Sequence, residues 1–145
     1  MIFERSVTTD WEGGLMDGTG VAKAGTGAFS LPVSFPSRIG EPAGKTSPEE
    51  LMAAAHAACF AMALNGALGK KGAKAKKTHV TATVSADKGD AGIKIVSSKV
   101  KVVVEGLEGM TPAEFSTFVK EADKGCPVSN AYRGTMQIDV EGSAK

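Results

Sequence analysis

Cysteine is scarce in this chain: two in 145 residues, beside a single tryptophan. A chain of this length suits one domain and buries roughly 70% of its extended surface, so neither a disulfide nor a metal is required for folding. Charge of one sign is missing too. Seventeen basic residues against 16 acidic ones leave a net charge of +1, which gives no pull toward nucleic acid or an anionic membrane. No apolar run reaches the ~18 residues of a membrane span before Gly or Lys interrupts it. Met1-Ile2-Phe3-Glu4-Arg5 lacks a basic segment followed by an apolar core, so no signal peptide is expected. Two thiols in that context fit a cytoplasmic, reducing setting, where a disulfide is transient rather than structural. There is no phosphate loop, no dinucleotide fingerprint after a strand and no HExxH. No cofactor is expected.

What is present is a mixed α+β pattern. Short segments flank the turn Gly25-Thr26-Gly27, and Phe35 to Lys45 reads as a loop broken by Pro36, Gly40, Pro42 and Gly44. Ser47, Pro48 and Glu50 form a capping box with proline at the first helical position. The helix that follows, Leu51 to Leu64, is apolar nearly all round and is expected to be buried on most sides, fraying at Gly66 and Gly69. Lys70 to Lys77 reads as a solvated basic linker, since no aromatic interleaves with its lysines. Val80, Ala82, Val84 and Ala86 alternate with polar residues as a strand does. After the turn Gly89 to Gly92, a second strand carries Ile93 and Ile95, then Val100, Val102 and Val104. Its phase slips at Val96 to Ser98, which predicts a bulge. Thr111-Pro112-Ala113-Glu114 is a second capping box, opening a helix with Phe115, Phe118, Val119 and Ala122 inward and Gly125 as its stop. A short helix over 127–133 and a strand carrying Met136, Ile138 and Val140 complete the chain.

The two cysteines occupy different settings. Cys126, in Gly125-Cys126-Pro127, is the N-cap position of the short helix, where a thiolate would meet unpaired N–H groups; a small residue accepting a tight turn is an equally good reading. Cys59 lies mid-helix among alanines, where a cysteine is most often inert core. His56 shares its face three residues earlier and is expected to be a packed histidine bonded to backbone. If the fold brings the two cysteines together, they form a two-thiol redox pair; otherwise both are small apolar residues. A zinc site from His56, Cys59 and Cys126 lacks a CxxC and a fourth ligand, so no metal is expected. Arg38 stands in the breaker-rich segment ahead of the long helix, and Glu49 lies in that helix's first turn. With Glu50 filling the capping-box position, Glu49 is free for another partner. Ten residues separate Glu49 from Cys59, about 15 Å along a helix and roughly 80° around it. One straight helix cannot bring both to one small site, so their cooperation would need a second copy of the chain. Trp11 reads as a packing anchor near a strand end.

Pro48-Glu49-Glu50-Leu51, Ala54-Ala55-His56-Ala57-Ala58-Cys59-Phe60 and Gly125-Cys126-Pro127-Val128-Ser129, with Trp11-Glu12-Gly13 near the start, closely resemble the OsmC/Ohr family, and its OsmC branch of thiol peroxidases most of all. The resemblance spans essentially the whole chain, residues 1–145 as one OsmC-like domain. It implies an α+β, intertwined homodimer with a buried central helix and antiparallel sheets, and shared active sites at the interface. It implies Cys59 as peroxidatic cysteine, Cys126 as resolving cysteine, and Arg38 and Glu49 as the pair that activates the thiol, drawn from the partner subunit. The implied substrate is an organic hydroperoxide, with hydrogen peroxide a weaker one, and Met52, Phe60 and Met62 are expected to line its approach. A Cys59–Cys126 disulfide would be reset by an external dithiol, a lipoylated protein among the candidates. The rival reading is a non-enzymatic homodimeric module whose cysteines are inert or hold a metal.

Overall fold

An extra residue in one strand governs where the interior of the protein begins. In the computed structural model, which describes residues 1–145, Ser85 pairs with Ser97 while Ala86 pairs with Ile95, so Val96 is left over as a bulge. Before it, Ile93 and Ile95 are the more covered residues; after it, Ser98, Val100, Val102 and Val104 are buried. A single added residue flips side chains to the other face of a sheet, and here it turns Ser98 inward. The phase slip in the sequence predicts this bulge.

The chain forms two compact units, Met1–Leu51 and Met52–Lys145. The first holds an antiparallel three-stranded sheet, β1 (Val7–Glu12), β2 (Thr19–Ala24) and β3 (Ser30–Val33), in the order β1-β2-β3. Trp11 pairs across the strands with Gly20, and a Cβ on Gly20 would meet the indole at 2.7 Å, so only glycine lets the ring lie there. Trp11, next to the end of β1, packs on Gly20 as expected of an anchor there, while 41% of its surface stays exposed. The segment expected to be a loop contains a short helix, α1 (Phe35–Ile39). The breakers explain it: Pro36 suits the first turn of a helix, Ser34 caps Ser37 N–H, and Gly40 ends it.

The long helix α2 runs from Pro48 to Lys70. Ser47 Oγ accepts the Glu50 N–H at 3.1 Å, but the Glu50 carboxylate turns to Thr46 Oγ at 2.7 Å, so only half of the expected capping box forms. Gly66 and Gly69 do not fray the helix; it passes through them and turns at Gly72, whose φ is +71°. Its length and a mean hydropathy of 1.5 would suit a membrane span. Within this chain it is buried along one stripe, His56, Phe60, Leu64 and Leu68, rather than on most sides. Residues four apart share a helix face, and a domain this small covers one face; Met62 stays 75% exposed.

In the second unit that stripe packs with Val100, Val102, Val104, Phe115, Val119, Ala122 and Cys126. The sheet there has the order β4 (Lys77–Gly89), β5 (Gly92–Glu105), β6 (Gln137–Ala144). β4 and β5 are an antiparallel hairpin, but β5 and β6 run parallel, which corrects the expectation of antiparallel sheets. A parallel neighbour needs a crossover. α3 (Pro112–Ala122), a single 3₁₀ turn (Asp123–Gly125) and α4 (Pro127–Tyr132) supply it. The Thr111/Glu114 capping box of α3 is complete. Gly125 ends the 3₁₀ turn rather than α3 itself, which stops at Ala122.

Candidate active site

Cys59 and Cys126 lie 3.4 Å apart, and neither is in a disulfide. α2 carries Cys59 one residue before the buried Phe60, so its thiol edges the core and remains partly accessible. Cys126 is fully buried at the start of α4. Consecutive amides of that first turn serve the two sulfurs: the Val128 backbone hydrogen-bonds Cys59, and the Ser129 N–H donates to Cys126 Sγ at 3.5 Å. Burial pushes the Cys59 thiol up, the Val128 hydrogen bond pulls it down, and the adjacent Cys126 raises it again.

Behind the sulfurs lies a polar network in an otherwise apolar core. His56 is fully buried. Its Nδ1 is 2.6 Å from Ser98 Oγ on β5, and its Nε2 is 2.6 Å from Ser129 Oγ on α4. A neutral imidazole donates from one nitrogen and accepts at the other, so both hydroxyls are satisfied. Burial holds His56 below its ordinary value; Asp123 pulls it up and Arg133 pushes it down. The Tyr132 ring meets the imidazole edge-on at 5.4 Å, and its hydroxyl donates to Met52 O at 3.0 Å. Asp123 Oδ2 accepts from Arg133 Nη2 at 2.8 Å, while its Oδ1 is buried without a partner. The expected packed histidine is there, but serines rather than backbone satisfy it. Ser98, Ser129 and Tyr132 are not singled out by the sequence reading. The bulge phase was the available signal for Ser98, and the third position of a Cys126-capped helix was the signal for Ser129.

The other two candidates meet in the first unit. Arg38 Nη2 donates to Glu49 Oε1 at 2.6 Å, and Arg38 Nε donates to Oε1 at 3.0 Å and Oε2 at 3.2 Å. A planar guanidinium engages a carboxylate in this two-pronged way. The hydrogen bond from Arg38 holds the Glu49 carboxyl below the usual carboxylate range against a partly opposing burial effect. Arg38 also borders a groove of about 320 Å³ walled by Trp11, Leu15, Val33, Phe35 and Leu51. Of the residues expected to line an approach, Phe60 is buried in the core instead, because it sits on the α2 stripe. No cluster of three or more His, Cys, Asp or Glu side chains is arranged to hold a metal.

The family model described as OsmC-like protein matches residues 40–141. The chain is 36% identical to the peroxiredoxin OsmC of Escherichia coli strain K12, over 97% of this chain and 98% of that one. It is 35% identical to an organic hydroperoxide resistance protein of Xanthomonas axonopodis pv. citri over 78% of each. Among solved structures, an organic hydroperoxide resistance protein OsmC from Legionella pneumophila superposes with a TM-score of 0.74 at 26% identity, covering 95% of this chain and 96% of that one.

Proposed function

The chain belongs to the OsmC/Ohr family of thiol peroxidases, and from that premise we propose that it reduces organic hydroperoxides through Cys59 and a Cys59–Cys126 disulfide. One observation carries the reading: the only two thiols of the chain lie 3.4 Å apart, unbonded.

The chemistry follows from what a peroxide needs. The Cys59 thiolate attacks the outer oxygen; the O–O bond breaks, an alcohol leaves with a proton, and Cys59 becomes a sulfenic acid. Cys126 displaces the hydroxyl as water and closes the disulfide. An external dithiol, a lipoylated protein among the candidates, takes up the oxidation and restores both thiols. Burial opposes the Cys59 thiolate, so a cation is needed. Arg38 fills that role, stabilising the thiolate and polarising the peroxide, with Glu49 fixing the guanidinium plane.

In this reading the cation comes from a second chain. Glu49 and Cys59 belong to one unbroken helix, and ten residues advance it about 15 Å. Ile2, Phe3, Val7, Leu15, Met16 and Met62 are exposed apolar residues, more than an isolated domain of this size favours. A homodimer that covers them and shares two sites answers both observations. The apolar groove beside Arg38 favours alkyl peroxides over hydrogen peroxide. The test is steady-state consumption of tert-butyl hydroperoxide and hydrogen peroxide with dihydrolipoamide as donor. Faster turnover of the organic peroxide is expected; equal turnover removes the preference, and none of either removes the activity.

A further inference from the structure

His56 has no part in the chemistry just described, yet it is fully buried with both ring nitrogens engaged. A polar ring in an apolar core is costly unless satisfied, and this one spans three elements. α2 carries His56 and, three residues on, Cys59. α4 carries Ser129, capped three residues earlier by Cys126. β5 contributes Ser98, turned inward by the bulge at Val96. Ser129 is the hinge of the arrangement: its Oγ meets His56 Nε2 at 2.6 Å, and its N–H donates to Cys126 Sγ at 3.5 Å.

We propose that His56 is a positioning residue for disulfide closure, clamping the first turn of α4 to α2 through Ser129, with Ser98 of β5 fixing the ring, so that the two sulfurs stay in contact. The inference rests on the peroxidase reading and concerns its second step. In that step the Cys59 S–O bond breaks and the Cys59–Cys126 S–S bond forms. The hydroxyl of Cys59 and the proton of Cys126 leave as water; the Cys126 sulfur is oxidised and the Cys59 sulfur reduced. The organic hydroperoxide has already supplied the oxidising equivalents. The departing hydroxyl takes the proton that Cys126 releases, so the remaining demand on the protein is distance. From 3.4 Å the sulfurs must reach about 2.05 Å. A clamp that holds them near contact speeds closure without touching peroxide attack. It also shortens the life of the sulfenic acid, which a second peroxide would otherwise carry on to sulfinic acid.

The whole chain, reduced, is mixed with one equivalent of tert-butyl hydroperoxide. Peroxide loss and disulfide formation are followed separately, the latter by acid quench and intact mass, with dimedone trapping the sulfenic acid. Ser129→Ala keeps the N–H to Cys126 and removes only the tie to His56. It should lose peroxide at the wild-type rate but close the disulfide about tenfold more slowly, the scale of one hydrogen bond. Sulfinic acid should accumulate at Cys59 under excess peroxide. Ser129→Thr, which retains a hydroxyl, should recover closure. Ser98→Ala, remote from both cysteines in sequence, should slow closure in the same direction and decides the matter if Ser129→Ala does not fold. Wild-type closure in the folded serine variants overturns the inference, as does equal slowing of peroxide loss and closure. A wild-type protein that neither consumes peroxide nor loses thiols would instead overturn the peroxidase reading.

Discussion

Arg38 grips Glu49 through both Nε and Nη2, with the shortest contact at 2.6 Å. The carboxylate thereby fixes the plane of a cation that stands beside an apolar groove. Replacing Arg38 by Met removes the cation while keeping an unbranched side chain. The Cys59 thiol should then ionise only at higher pH, because burial already opposes its charge. Attack on peroxide should slow by roughly tenfold or more, the order of a lost charge-assisted contact. The pH profile of Cys59 alkylation checks this; a profile identical to wild type would assign thiol activation to another group.

The two cysteines should separate cleanly by stoichiometry. Cys59→Ser is nearly isosteric and should fold, yet turnover should fall to background because a hydroxyl is not an adequate nucleophile here. Cys126→Ser should consume about one equivalent of peroxide, then stall or over-oxidise at Cys59. Stopped-flow consumption with defined peroxide ratios distinguishes them. Steady wild-type turnover by Cys126→Ser would show that resolution does not use Cys126.

Shared sites make a prediction that separate sites do not. Inactive Cys59→Ser and inactive Arg38→Met chains, refolded together, should regain part of the wild-type activity. Each heterodimer would hold one site with all native residues and one doubly defective site. Verified heterodimers no more active than the parents would refute the sharing, and light scattering from a fully active monomer would refute the dimer.

Stability should depend on pH through His56. Burial lowers its folded-state value, so the unfolded chain takes up a proton first. The stabilisation is fully present above about 6.5, the ordinary imidazole value, and is lost as pH falls from there through the depressed folded value. Glu49 acts in the same sense further down: its stabilisation is lost as pH falls below the ordinary carboxylate range. Denaturant midpoints measured between about pH 7.5 and 5 should decline, and His56→Asn, less stable throughout, should flatten that decline. An unchanged slope in the variant would mean that His56 is not the titrating group.

Much of the fold is legible in the sequence because local chemistry writes it. The Thr111/Glu114 capping box, the Asp90-Ala91 turn and the phase slip at Val96 all reappear as structure. Strand direction is not written that way: alternation at Ile138 and Val140 marks a strand but cannot say that β6 runs parallel to β5. Breakers mislead in both directions. Pro36 starts α1, and Gly66 and Gly69 ride inside α2, because packing overrides a propensity of about 1 kcal/mol per glycine. The cysteine segments carry the site's chemistry, but residue spacing left their meeting open; the approach of Cys126 to Cys59 depends on the crossover through α3 and α4. Ser98 and Ser129 escape notice because an isolated serine has no periodicity of its own, and only the bulge and the helix start give it a direction.

Cys59 and Cys126 together should carry one complete turnover. Reduced protein treated with one equivalent of tert-butyl hydroperoxide, then alkylated and weighed intact, tests it most directly. Both thiols should escape alkylation, the chain should be lighter by about two hydrogens as a disulfide requires, and a dithiol should restore both sites. Two alkylated thiols after complete mixing, or an oxidised Cys59 beside a freely alkylated Cys126, would contradict it.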